Sequence, residues 1–207
     1  MTYANRQAAG DKLAEHLARY AGREDVVVLG LVRGGVPVAA RVAERLGLPL
    51  DVLVVRKLGV PWSPEVAFGA IGPDGVVVRN REVADHLSPA DMDRVIEAES
   101  AELARRTARY RPGRPPLSVA GNTAIVVDDG LATGATARAA VEVARHLGAA
   151  KVVVAVPVAA ADSLATVRAV ADEVICPLIP PMFGAVSRFY DEFPQTPDSE
   201  VLAALSH

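Results

Sequence analysis

Apolar positions along the chain come in short dense runs separated by amphipathic stretches. Residues 26–31, 50–55, 124–127, 152–156 and 174–176 are nearly continuous in Val, Ile, Leu and Ala. Runs of that length without polar alternation predict strands buried on both faces, as in a parallel sheet. The stretches between them carry helical periodicity. Asn5 is placed to cap a helix running to Tyr20, with Leu13, Leu17 and Tyr20 on one face. Residues 36–46 predict a second helix stopped at Gly47, residues 136–147 a third ended by Gly148, and residues 163–171 a fourth. Alternation of strand and helix predicts right-handed crossovers and an α/β fold: an open, mostly parallel five-stranded sheet flanked by helices. Ligands of such sheets bind beyond the carboxyl ends of the strands. The loops after Leu31 and Val127 lie at such ends.

An insertion separates the second and third of these strands. Residues 67–71 and 76–78 flank Gly72-Pro73-Asp74-Gly75, a turn that predicts a hairpin. Ser88-Pro89-Ala90-Asp91 opens a long helix to about Tyr110, with a capping Ser, Pro in the first turn and an acid at the positive end. The region about 57–80 is expected to be a flexible hairpin insertion. Beyond Pro177 regular structure is expected to fade into a small C-terminal hood, about 177–197. No internal repeat is evident, so residues 1–207 are expected to form a single domain.

Composition narrows the classes. Hydrophobic residues make up 51% and charged residues 23%, which supports a folded core over disorder. The net charge is −3, with acids and bases interleaved, and the pI is about 5.8. That balance argues against a nucleic-acid or membrane surface. No apolar stretch is long enough to span a bilayer and the amino terminus has no signal-peptide core, so the expected location is the cytoplasm. The single cysteine, Cys176, sits among apolar residues and is expected in the core. His16, His86, His146 and His207 are scattered without metal-site spacing and are expected on the surface.

The strongest chemical signal is Val126-Val127-Asp128-Asp129-Gly130-Leu131-Ala132-Thr133-Gly134-Ala135-Thr136. A buried strand delivers two acids, then a small-residue loop opens into a helix. Small residues let backbone approach a phosphate, and the helix start offers unpaired N–H groups. Thr133 and Thr136 add hydroxyls. The carboxylates suit a hydrogen-bond-donating diol or a hydrated metal. A phosphate beside a diol describes a ribose phosphate. A P-loop is excluded because no Lys precedes the Ser or Thr.

The stretch resembles the signature of the type I phosphoribosyltransferases, with Gly130 standing where a larger apolar residue is common. The resemblance implies that Asp128 and Asp129 hold the ribose hydroxyls. Gly130, Leu131, Ala132, Thr133, Gly134, Ala135 and Thr136 would form the 5′-phosphate loop of phosphoribosyl pyrophosphate (PRPP). It also implies Mg²⁺, held by Asp128 and Asp129 through water.

Three further stretches fit that resemblance. In Gly30-Leu31-Val32-Arg33-Gly34-Gly35, glycines after a buried strand can turn amides toward an anion, and Arg33 adds a charged fork. It is similar to the family's pyrophosphate loop in its xanthine-guanine form. Arg56-Lys57 could neutralise a pyrophosphate leaving group, and the family follows such residues with a mobile loop that closes over the site. On that loop Trp62 is a candidate to cap a base and Glu65 a candidate general base. In the hood, Phe183 or Tyr190 could stack on an acceptor base with Asp191 reading its polar edge.

The expected activity is transfer of ribose 5-phosphate from PRPP to a nucleobase or related nitrogenous acceptor, with Arg33, Lys57, Asp128 and Asp129 catalytic. The front loop resembles the xanthine-guanine enzymes, whereas Ala132 matches the adenine enzymes, and no residue identifies the base. A PRPP-sensing regulatory protein is the alternative. A homodimer is expected, since twofold dimers are the commonest oligomers.

Overall fold

The computed structural model describes residues 1–206; His207 lies outside the described residues. Five strands, β1 (Val26–Leu31), β2 (Leu50–Leu53), β6 (Thr123–Val127), β7 (Lys151–Ala155) and β8 (Glu173–Ile175), form a parallel sheet in the order β2-β1-β6-β7-β8. Three more, β3 (Arg56–Val60), β4 (Ser63–Ile71) and β5 (Val77–Arg79), form a separate antiparallel sheet. The fold is the expected α/β architecture.

The parallel strands are buried on both faces, and their period of two sorts side chains cleanly. Leu29, Leu31, Val126, Val152 and Val154 point to one face. They meet α5 (Ala135–His146) and α6 (Ala161–Arg168) through Ala137, Ala140, Val141 and Leu164. Val28, Ile125, Val127 and Val153 point to the other. They meet α1 (Arg6–Glu15) and α2 (Gly35–Leu46) through Leu13, Val38, Ala39 and Val42.

Several local expectations are met in detail. Asn5 caps α1, its side chain accepting from the Ala8 amide, although α1 ends at Glu15 and a short 3₁₀ turn carries the chain to Tyr20. Gly47 closes α2 in the left-handed region at φ 63°. Ser88 caps α4 (Pro89–Tyr110) as read.

Two segments differ. Residues 56–65, expected as a loop, are instead β3, a tight turn and the start of β4. Val60 pairs with Ser63, and Gly59 fits where a Cβ would lie 2.5 Å from the Pro64 carbonyl. The C-terminal tail does not fade: α7 (Asp198–Leu205) docks Val201 and Leu205 into a third core with Val36, Val54, Phe68 and Leu103. A start after Pro197, acids at 198 and 200, and apolar residues at 201 and 205 are helix signals visible in the sequence. His16, His86 and His146 are exposed, and Cys176 is half-buried, its thiol pushed up to about 11 by burial.

Candidate functional site at the switch between β1 and β6

The sheet order reverses between β1 and β6. These strands lie side by side in register, Gly30 against Val127, while α2 and α5 leave on opposite faces. Such a switch point opens a crevice at the carboxyl ends of the strands. The two motif loops emerge there together.

Their contact is close. A Cβ built on Gly35 would lie 2.6 Å from the Val127 carbonyl and 2.9 Å from Asp128 Cα. One on Gly34 would lie 2.3 Å from Asp129 Oδ2. Only glycine allows the front loop to sit against the paired acids. Asp128 Oδ1 accepts from the Asp129 amide at 2.8 Å, which fixes the first carboxylate.

Asp129 is held by Arg6, which sequence reasoning missed. Arg6 Nε donates to Asp129 Oδ2 at 3.2 Å, and its guanidinium lies 3.9 Å above the Phe193 ring. Arg6 is itself buried. A signal was available: Arg6 follows the N-cap of α1, where the helix dipole disfavours a cation. It also continues the buried stripe of Ala9, Gly10 and Leu13.

Burial pushes the Asp128 carboxyl well above the ordinary carboxylate range, with the charge of Asp129 adding to it. Burial also raises Asp129, opposed by the Arg6 guanidinium. One arginine for two desolvated carboxylates leaves the pair short of positive charge and donors. The chemistry of such a pair fits a diol or a hydrated cation.

The following loop is pinned at its back and open at its front. The Leu131 amide donates to Val158, and the Ala132 carbonyl accepts from the Ser163 hydroxyl. Gly134 turns at φ 80° into α5, and Thr133 Oγ1 accepts from the Ala135 amide. Ala132, Thr133, Ala135 and Thr136 are exposed around a shallow cavity of about 180 Å³ that also touches Asp128 and Gly130. The departure at Gly130 has a local cause: a Cβ there would meet Val186 of the hood at 2.7 Å.

Other candidates fall elsewhere. Arg33 turns from the acids toward α4 and α7, where its guanidinium stands 3.9 Å from Asp198 beside Tyr110. Gly34, and not the Arg33 fork, meets the acids. Arg56 is tied to Glu99 of α4 at 2.7 Å, so its charge is offset within the protein. Lys57 is exposed and reaches the Glu65 carbonyl at 3.4 Å.

Trp62 is 69% exposed at the hairpin turn and packs under nothing. Glu65 accepts from the Ser63 hydroxyl, which lowers its carboxyl pKa and weakens it as a base. Tyr190 cannot stack on an acceptor: it is buried against Tyr3 and Phe193, and its hydroxyl donates to the Asp129 carbonyl at 2.7 Å. It braces the acids. Asp191 accepts from Thr2, tying the hood to the amino terminus. Phe183 lies half-buried, stacked on Phe189.

With this geometry in view, residues 2–194 match the model of the phosphoribosyl transferase domain. The chain belongs to that family. It is 54% identical, over 203 residues, to Rv0571c of Mycobacterium tuberculosis, a protein provisionally named a phosphoribosyl transferase. The match covers 97% of this chain and 46% of that one, so the chain spans about half the length of this relative. Among solved structures, TT1426 of Thermus thermophilus superposes with a TM-score of 0.92 at 42% identity, covering 99% of this chain and 98% of that one. The AQ2163 protein of Aquifex aeolicus, at 12% identity and a TM-score of 0.51 over 84% of this chain and 74% of its own, shares the fold alone. In this phosphoribosyl transferase domain, no described helix is long and apolar enough to cross a membrane.

Proposed function

We propose that the chain binds PRPP in the crevice between β1 and β6 and transfers its ribose 5-phosphate to a nitrogenous acceptor, releasing pyrophosphate. The observation that carries this reading is the seam between the two loops. Gly34 and Gly35 press against Asp128 and Asp129, and the acids lead directly into an open loop at the start of α5. In this reading the carboxylates accept from the ribose hydroxyls. Exposed backbone and hydroxyls of residues 132–136 hold the 5′-phosphate at a helix start. In the same reading, backbone of residues 33–35 faces the pyrophosphate, and Lys57, exposed on β3, is the cation the hairpin would bring to the leaving group.

Mg²⁺ suits this donor set. Among the described residues no cluster of three or more His, Cys, Asp or Glu could hold a metal. Asp128 and Asp129 would hold it through water and substrate oxygens, in keeping with the reluctance of Mg²⁺ to shed its waters. When bound it would neutralise charge on the leaving group. The protein's part is mainly positioning and fixed electrostatics around a developing positive charge on the sugar. Acids held by Arg6, Tyr190 and close glycine contact need little rearrangement to serve it.

Calorimetric titration with PRPP, with and without Mg²⁺, tests the site. Asp128→Asn combined with Asp129→Asn should abolish binding and leave the fold intact by circular dichroism. Unchanged affinity would refute the diol assignment. PRPP binding without pyrophosphate release, across a panel of nucleobases, would favour the sensing protein instead.

A further inference from the structure

A second cleft, of about 390 Å³, runs along the flank of α5 between that helix and the antiparallel sheet. Its floor is kept open by small residues of β4, Ala67, Gly69 and Ala70. Four cations line it: Lys57 from β3, Arg79 from the end of β5, Arg81 from the start of the short helix α3 (Arg81–Ala84), and Arg138 from α5. One carboxylate, Glu142, accompanies them and stands 3.9 Å from Arg138. Lys57 has the Glu65 carbonyl at 3.4 Å. Among the described residues Arg79 and Arg81 are exposed and enter no salt bridge, whereas most arginines of this chain do.

In a chain of net charge −3, four cations drawn from four separate elements onto one carboxylate create a locally positive cleft. Mutual repulsion of that set is relieved by an anion of several charges, and arginine forks match phosphate oxygens. The cleft also has a connection. Ala135, the first residue of α5, lines both this cleft and the cavity of the 128–136 loop. The two spaces therefore meet at the same helix start.

We propose that this cleft is a second, separate anion site that takes a polyphosphate chain, free or carried by a nucleoside, and that its occupant acts on the neighbouring loop. The inference goes beyond the transferase reading and does not require it. The site differs from the crevice in composition, since it offers cations without paired acids. Its own cations, Arg79, Arg81 and Arg138, come from β5, α3 and α5, whereas the crevice is built by the loops after β1 and β6; Lys57 of β3 is the one cation the two readings share.

The test is calorimetry on the full chain in the presence of saturating PRPP. Inorganic tripolyphosphate should still bind, and Arg79→Ala with Arg81→Ala should weaken it by about tenfold or more. The same double variant should leave PRPP affinity within about twofold, because neither residue lines the cavity of the 128–136 loop. Arg138→Glu provides a second variant should the first lose its fold, and should weaken tripolyphosphate likewise. A nucleoside triphosphate run in parallel identifies the source: tighter binding than tripolyphosphate means the nucleoside is read, and equal binding means the phosphate chain alone is. Three results overturn the proposal. They are an absence of tripolyphosphate binding, its displacement by PRPP, and an equal weakening of PRPP and tripolyphosphate in the double variant. The last two would assign these cations to the PRPP site. A failure of the crevice reading is separate, since it appears in the titration with PRPP alone.

Discussion

The acidic seam and the cationic hairpin are built on opposite principles. At the seam, backbone meets backbone: Gly35 lies against the Val127 carbonyl, Arg6 clamps Asp129, and Tyr190 braces the same residue from the hood. On the hairpin, Lys57, Trp62 and Glu65 all project into solvent. A preorganised charge site gains from the first arrangement, because donors fixed before binding need no reorganisation. The second suits groups that must move to meet a substrate. Substitutions at the seam should therefore disturb stability and binding together, and substitutions on the hairpin should separate them.

Gly35→Ala should have the largest effect. The new methyl meets main chain at 2.6 and 2.9 Å, which cannot swing aside as a side chain can. Overpacking there should cost about 3 kcal/mol. Displacing Asp128 by a fraction of an ångström should weaken PRPP by about 100-fold. Thermal melts and PRPP titration should fall together. A variant that melts normally yet binds PRPP normally would show that the two loops are not interlocked.

Arg6→Met comes next. Arg6 and Asp129 have side chains only 9% and 15% exposed, so the lost partner leaves a desolvated carboxylate, costing about 2 kcal/mol. Arg6 opposes the upward pull of burial on Asp129, so its removal raises that carboxyl further. Asp129 then takes up its proton at a higher pH. The acid limb of PRPP binding should move to higher pH, a shift that a general loss of folding would not produce.

Asp128→Asn should act in the other direction on stability. Both acids hold a proton more tightly in the folded state than in the unfolded chain. For a raised carboxyl, stability is fully present below the unfolded pKa and is lost as pH rises through the folded pKa. At neutral pH, above the value of the unfolded carboxyl, burying Asp128 therefore costs stability. Replacing it with a neutral isostere should add about 1 kcal/mol, roughly 3 °C in Tm for a chain of this size. The gain should vanish below about pH 4, where the carboxyl is protonated in the unfolded chain as well. PRPP binding should be lost throughout. A higher Tm with lost binding would mean that stability is traded for function at the seam.

These effects bear on what was legible in the sequence. The parallel sheet was, because strands buried on both faces give unbroken apolar runs, and caps such as Asn5, Gly47 and Ser88 mark helix ends locally. The 128–136 loop was legible because its acids, small residues and helix start are contiguous. Arg6 was not, because its partner lies 123 positions away and only the sheet's crossovers bring them together. The β3–β4 hairpin was hidden by Pro61 and Pro64, which suggest a loop, while pairing between Val60 and Ser63 overrides that preference. Tyr190 was misread because an aromatic near a binding site looks the same in sequence whether its ring is free or enclosed.

The smallest effects are expected on the hairpin, and they sharpen the contrast most. Trp62 is 69% exposed, so Trp62→Ala should change stability by less than about 0.5 kcal/mol. PRPP affinity should also hold. If Trp62 caps the acceptor, the variant should raise the acceptor KM with both other quantities unchanged, which no buried residue could do. Glu65→Gln completes the test. The Ser63 hydroxyl lowers the Glu65 carboxyl, making it a poorer base than an ordinary glutamate. The acid limb of the pH–rate profile should therefore survive the substitution. Loss of that limb would place Glu65 in the chemistry, and the hairpin would then share the catalytic work with the seam instead of covering it.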